Sequence, residues 1–232
     1  MAQNKPQAEK DPEVAIASAI GRVEAFIMRN SRSLLTALGV VIIVVGGFFG
    51  YKYLVAVPRM EKASAMMFAA EQQFAQDSFK LALNGDGNFA GFLQVIEKYG
   101  STGTGNVARH YAGICYLRLG QYQEALDYLT QYKGSTDDVP SALLAAQNYG
   151  LRGDVYVQMG DYAEAAQSYE KAVATSSDPL TAPYYLKKAG EVYEKLGDNA
   201  KALAAYEAVE VDYPTSMEAR DIQKYIGRIQ QQ

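Results

Sequence analysis

The sequence predicts an all-α protein: a single transmembrane helix near the N-terminus, then an α-solenoid of helix pairs closed by a C-terminal capping helix. Three observations predict it. Nineteen consecutive residues, Ser33 to Tyr51, carry no charge. An 18-residue block recurs three times without gaps between residues 112 and 206. After Pro214, residues 216–230 place apolar side chains at helical spacing beside charged ones. The expected organisation is an N-terminal segment over 1–32, an anchor over 33–57 and a repeat domain over 58–232.

At about 1.5 Å per helical residue, the uncharged run spans roughly 28 Å, close to the hydrocarbon thickness of a bilayer. A buried core helix would show a polar face over five turns, and this run (LLTALGVVIIVVGGFFG) shows none. Tyr51 and Tyr53 stand where an aromatic belt is expected, and Pro58 suits the first turn of the next helix. The run is too long for the apolar region of a cleaved signal peptide, and its 32 preceding residues are too many for a leader. Lipoprotein processing needs a Cys directly after the apolar run, and the only Cys is Cys115. Residues 33–57 are therefore expected to remain in the lipid bilayer. Flanking charge does not orient the helix, since Arg22, Arg29 and Arg32 before it balance Lys52, Arg59 and Lys62 after it. Over whole segments, residues 1–57 hold 6 basic and 4 acidic groups and residues 58–232 hold 16 and 22. That asymmetry leans towards a cytoplasmic N-terminus and a translocated repeat domain.

Ahead of the anchor, Val14, Ile16, Ile20, Val23 and Ile27 recur at spacings of two to four, which predicts an amphipathic helix suited to a membrane surface or a neighbouring membrane protein. Gly46 and Gly50 form one GxxxG pair, which permits close helix approach.

The recurring blocks are AGICYLRLGQYQEALDYL at 112–129, RGDVYVQMGDYAEAAQSY at 152–169 and AGEVYEKLGDNAKALAAY at 189–206. Each has a small residue (Gly113, Gly153, Gly190), then a Tyr (Tyr116, Tyr156, Tyr193), then a turn Gly (Gly120, Gly160, Gly197). An Ala follows (Ala125, Ala165, Ala202) and the block ends on a large residue (Leu129, Tyr169, Tyr206). This is the tetratricopeptide pattern, in which glycine ends helix A in a left-handed cap and the Ala lets helix B approach its neighbour. The turn glycines Gly87, Gly120, Gly160 and Gly197 are spaced 33, 40 and 37, so the unit of about 34 residues is extended twice. A degenerate first repeat is expected, with helix A over 59–83 and helix B over 88–99, where Phe89, Phe92 and Ile96 take the slots of Tyr122, Ala125 and Leu129. Residues 216–230 then read as the polar-faced cap that a solenoid needs, with Met217, Ala219, Ile222, Tyr225, Ile226 and Ile229 inward.

Composition narrows the chemistry. The net charge of -4 argues against a nucleic-acid partner, which calls for a basic face. One Cys and one His leave no disulfide and no Cys/His zinc site, and they predict neither cofactor nor metal. His110 and Cys115 stand five residues apart on different faces of one helix, so Cys115 reads as a small packed residue and no catalytic pair is expected. DGNFAGFLQVIE at 86–97 approaches a calcium loop, but Ala90 stands where an oxygen ligand is needed. The expectation is a protein that is not an enzyme.

In tetratricopeptide arrays the concave surface is lined by helix A residues and receives peptides or partner helices. Projecting the register gives His110, Ile114 and Arg118 from one helix, Gln147, Asp154 and Gln158 from the next, and Tyr184, Lys187, Glu191 and Lys195 from the third. The set is polar with both signs of charge. It lacks the Lys, Arg and Asn cluster that grips a C-terminal carboxylate.

The order of parts resembles the YfgM-like family of ancillary Sec translocon subunits, in its Bacteroidetes form. The segments that carry this are VEAFIMRNSRSLLTALGVVIIVVGGFFGYKY, LALNGDGNFAGFLQVIEKYG, YAGICYLRLGQYQEAL, YLKKAGEVYEKLGD and YPTSMEARDIQKYIGRI. The resemblance implies a single-pass protein of the bacterial inner membrane with a cytoplasmic N-terminus and periplasmic repeats. Its implied partners are the Sec translocon, a PpiD-like periplasmic chaperone and translocating polypeptides. The family offers no catalytic residues to carry over. A structural scaffold for another cell-envelope complex is the alternative reading of the same parts.

Overall fold

A computed structural model describes residues 12–231, so the first eleven residues of the expected cytoplasmic segment lie outside the described residues. The chain divides into two compact units on either side of the Pro58–Arg59 bond. In the first, α1 (Pro12–Arg29) and α2 (Ser31–Tyr51) meet at Asn30, whose amide Nδ2 donates to Phe26 O at 3.0 Å, and a π-helical turn follows at Lys52–Ala56. Helix α2 buries none of its residues, and its apolar side chains are exposed on every face. With a mean hydropathy of 2.3 over its most apolar stretch, it is long and apolar enough to cross a membrane.

The second unit is built of helices: α3 (Val57–Ala75, its first two residues still in the first unit), α4 (Phe79–Asn84), α5 (Phe92–Tyr99), α6 (Gly103–Arg118), α7 (Tyr122–Gln131), α8 (Val139–Met159), α9 (Tyr162–Thr175), α10 (Ala182–Leu196), α11 (Asn199–Asp212) and α12 (Ile222–Gln230). Helices α6 with α7, α8 with α9 and α10 with α11 form three hairpins. Helix α10 also packs on α9, and α12 on α11.

Each hairpin turn has the same local cause. Gly120, Gly160 and Gly197 take φ of 75°, 84° and 74°, which a side chain would oppose. The next residue then donates its N–H back into helix A: Gln121 to Tyr116 O, Asp161 to Tyr156 O and Asp198 to Tyr193 O, at 2.9 to 3.0 Å. These bonds satisfy carbonyls that would otherwise be stranded at the helix end.

Packing within the hairpins follows from pairing small with large. A methyl added at Gly113 would come within 2.5 Å of Leu129 Cγ, one at Gly153 within 2.5 Å of the Tyr169 ring, and one at Gly190 would strike the Tyr206 ring. Ala125, Ala165 and Ala202 are fully buried on the facing helices. The largest cluster joins Tyr169, Tyr185, Tyr193 and Tyr206 to Ile222, Ile226 and Ile229 of α12. An ion pair holds α12 as well. Arg228 reaches Glu194 through two hydrogen bonds, at 3.0 and 2.5 Å, and Tyr206 Oη donates to the same carboxylate at 2.5 Å.

The structure corrects the sequence reading in three places. Helix A of the first repeat is not continuous over 59–83, because Asp77 adopts φ 56° and the chain restarts as α4, which brings Phe79 edge-on to Phe74 at 5.6 Å. Its helix B begins at Phe92 and not at 88. The Asp86 carboxylate instead accepts from the N–H groups of Asn88 and Phe89 at 2.8 and 3.1 Å, and Gly85 bridges to Ala90. The cap is broken too, into a 3-10 turn at Glu218–Arg220 and α12, which leaves Met217 exposed.

Candidate functional site: an inter-repeat groove

A groove of about 650 Å³ runs across helices α6, α8 and α10. Residues four apart share a helix face, so Ile114 with Arg118 and Asp154 with Gln158 enter it together. Glu191 with Lys195 enters from α10 in the same slots. A second hollow of about 370 Å³, between α10 and the start of the cap, is lined by Tyr184, Lys187, Glu191, Met217 and Asp221. Lys188 and Glu191 line both hollows.

Eight of the ten projected residues line these hollows. Gln147 is exposed on α8 outside both. His110 does not face the groove: it is 1% exposed, with the Tyr132 ring 5.5 Å away and Asn148 Nδ2 at 3.1 Å from its Nδ1. The segment after α7 carries Tyr132 over it, a long-range placement that register alone does not give. Burial holds the imidazole neutral by pushing its pKa down to about 4.

Sequence projection missed the residue at the centre of the groove. Lys188 Nζ lies 2.6 Å from Asp154 Oδ1, and Tyr169 Oη donates to the same oxygen at 2.7 Å. The Lys188 ammonium also sits 4.7 Å from the centre of the Tyr184 ring. Burial works against the Lys188 charge, but the Asp154 carboxylate and Tyr184 outweigh it and hold the pKa above the usual lysine value. Burial beside Asp154 pushes the Tyr169 phenol far upwards, so it stays a donor. Tyr122 and Tyr162 were also missed. Each opens helix B two residues after a turn glycine, and that shared place in the repeat was the available signal.

The floor and walls of the groove combine Leu117, Leu151, Val157 and Val192 with three tyrosines, Tyr122, Tyr162 and Tyr169. Arg118 and Lys195 stand at exposed positions at the C-terminal ends of α6 and α10, where they complement the helix dipoles. Apolar walls, hydroxyls and both signs of charge suit a polypeptide segment better than a compact charged metabolite. Among the described residues no cluster of His, Cys, Asp and Glu is arranged to hold a metal ion.

Family comparison agrees with the repeat geometry. Two tetratricopeptide repeat models match, over residues 108–178 and 151–219. Residues 108–219 are tetratricopeptide repeats. They make this part of the chain a protein–protein interaction module, a class that is generally not enzymatic. Among solved structures, MamA is 17% identical with a TM-score of 0.53, covering 74% of this chain and 82% of its own. A Podosopora anserina protein assigned as a kinesin light chain, with nearly identical TPR-like repeats, is 16% identical with a TM-score of 0.56, covering 73% and 85%. At such identities these likenesses show the fold alone. A search of curated proteins gave no match.

Proposed function

We propose that the chain is a membrane-anchored interaction module whose groove receives a polypeptide segment, acting as an accessory subunit of the Sec translocon on the periplasmic side. The observation that carries the binding reading is the groove itself, which helix A residues of three successive repeats line together and which holds the Asp154–Lys188 pair between apolar walls. The anchor reading rests on α2, whose apolar faces are all exposed. The translocon assignment rests on the resemblance of the anchor, LALNGDGN and YPTSMEARDI segments to the YfgM-like family. In this reading residues 33–57 hold the protein in the inner membrane with a cytoplasmic N-terminus, and the repeats hand emerging chains to a PpiD-like chaperone. Helix α1 lies on the membrane surface by its apolar face.

Photo-crosslinking amino acids at Arg118, Gln158 and Tyr184, with mass spectrometry of the membrane adducts, test this. Recovery of Sec subunits or translocating chains is expected. Adducts with one unrelated envelope protein alone would replace the translocon with a scaffold role. An alkaline phosphatase fusion after Gln232 is expected to be active, and an inactive fusion would reverse the orientation.

A further inference from the structure

Helix α1 carries an apolar stripe that lies open. Ile16, Ile20, Val23 and Ile27 are 50–61% exposed, and every side chain from Ile16 to Arg29 is exposed. At 3.6 residues per turn these four fall within about 60° of one another, and Ala19 and Phe26 widen the stripe to an arc of about 120°. Arg22 and Arg29 follow just beyond Phe26, within about 60° of that edge of the arc. Glu24 stands about 40° beyond the opposite edge, and Glu13 shares its side of the register. The charges of the helix are therefore sorted, with both arginines on one flank of the stripe.

The place of α1 in the chain says what covers the stripe. Its last residue, Arg29, stands five positions before Leu34, where the apolar run of α2 begins, about 7 Å of helix. A helix tethered that close to the hydrocarbon edge meets lipid headgroups before any soluble partner. Asn30 supplies the bend that lets it lie flat: its φ of -111° and ψ of 16° lie outside the helical range, and its N–H and its Nδ2 both donate to Phe26 O at 3.0 Å, satisfying a carbonyl at the end of α1. The polar residues Asn30, Ser31, Arg32 and Ser33 then separate the stripe from the apolar run. An apolar stripe with arginines along its flank suits the plane of a bilayer interface, where the stems of Arg22 and Arg29 follow the apolar surface and their guanidinium groups stay in the headgroup layer. Arg22 uses one of its five N–H groups on Ser18 O at 3.2 Å, and a guanidinium fork matches the geometry of a phosphate.

We propose that α1 is a binding site for anionic phospholipids of the membrane that α2 crosses, with Arg22 and Arg29 on the headgroups and the Ile16–Ile20–Val23–Ile27 stripe against the acyl chains. The proposal rests on the reading of α2 as an anchor, and it gives the surface placement of α1 a lipid class. Rolling the helix towards Phe26 brings both arginines onto the headgroups and lifts Glu24 into water, so the sorted flanks favour a negatively charged surface over a neutral one. Each arginine held near such a surface strengthens binding about fivefold.

The test uses the full-length protein in phosphatidylcholine vesicles holding a trace of spin-labelled lipid. Spin-labelled phosphatidylglycerol is expected to associate with the chain about fivefold more strongly than spin-labelled phosphatidylcholine. Arg22→Gln combined with Arg29→Gln, both at exposed positions, is expected to lower that preference about twofold or more. Lys52→Gln, beyond the other end of α2, is expected to lower it less. No preference in the parent chain, or a preference that Lys52→Gln removes and the arginine pair leaves intact, would overturn the proposal. Depth is read in vesicles of phosphatidylcholine and phosphatidylglycerol with a nitroxide at Val23→Cys or at Ala25→Cys, which face opposite sides of α1, while Cys115 is buried and stays unlabelled. The Val23 label is expected to be reached by oxygen and shielded from an aqueous nickel complex, and the Ala25 label the reverse. Both labels open to nickel, or dipolar broadening between Val23 labels of two copies, would also overturn the proposal, the latter by placing a second copy on the stripe. The anchor is judged separately: a chain that does not float with the vesicles refutes the reading of α2, whereas a floating chain without lipid preference refutes the α1 site alone.

Discussion

Gly153→Ala tests whether the small-on-large pairing sets the spacing of the repeats. The added methyl would lie 2.5, 2.7 and 2.9 Å from three atoms of the Tyr169 ring, closer than carbon atoms tolerate. Tyr169 is 2% exposed and packed among Ala165, Ala172 and Tyr185, so the ring has little space to retreat into. Overpacking of this kind costs about 1–3 kcal/mol. Moving the ring also stretches its 2.7 Å bond to Asp154, at a cost of about 1 kcal/mol. Helix propensity works the other way, favouring Ala over Gly by about 1 kcal/mol. The net expectation is a loss of about 1–3 kcal/mol, read by urea unfolding of the full chain in micelles followed by circular dichroism. Gly227→Ala in α12 is the internal control, because a methyl there meets no atom within 4 Å, and it is expected to gain up to about 1 kcal/mol. Tyr169→Leu combined with Gly153→Ala should cost less than the sum of the two changes by about 1 kcal/mol or more. If Gly153→Ala were as stable as the parent chain, or the two costs simply added, the close approach would not be what holds α8 against α9.

Three further outcomes follow from buried or paired groups. The unfolded chain protonates His110 near pH 6.5 and the folded chain only near about 4. Stability on this account is complete above about pH 6.5 and falls by roughly 3 kcal/mol as pH drops to about 4, and His110→Gln should remove that slope in urea unfolding series. For Glu194, burial favours the neutral acid, but the bonds from Arg228 and Tyr206 outweigh it and hold the pKa below the usual 4.5. Its contribution is therefore present above pH 4.5 and lost below, and Glu194→Gln should unfold with a flatter acid limb. Burial pushes the Cys115 thiol up to about 12 and leaves it inaccessible. Maleimide at pH 7 should label it only after denaturant unfolds the core, and labelling of the native chain would place it outside the core.

The three hairpins were legible in the sequence because each rests on local chemistry. A glycine at positive φ, an Ala at the contact and a large residue nine positions after the glycine recur in register whatever the rest of the chain does. Apolar length alone identified α2. The first repeat was harder to read. Its helix A breaks at Asp77, a residue with no Gly or Pro beside it, because packing of Phe79 on Phe74 and Phe74 on Tyr111 at 5.1 Å rewards the kink. Within the groove, register placed Ile114, Arg118, Asp154, Gln158, Glu191 and Lys195 together. It misplaced His110, whose slot holds Gly150 and Lys187 in the later repeats and is covered here by Tyr132.

What the sequence by itself determined is the set of features that act within a few residues: helix periodicity, glycine caps, the apolar run and the repeat that multiplies them. Tertiary structure alone decided which polar groups meet. Asp154 and Lys188 are 34 residues apart, and so are Glu194 and Arg228. The Asn148–His110 contact spans 38. Each pairing depends on one hairpin settling on the next, and a side chain's worth there is set by desolvation and by the partner it finds, neither of which is written in its own neighbourhood along the chain.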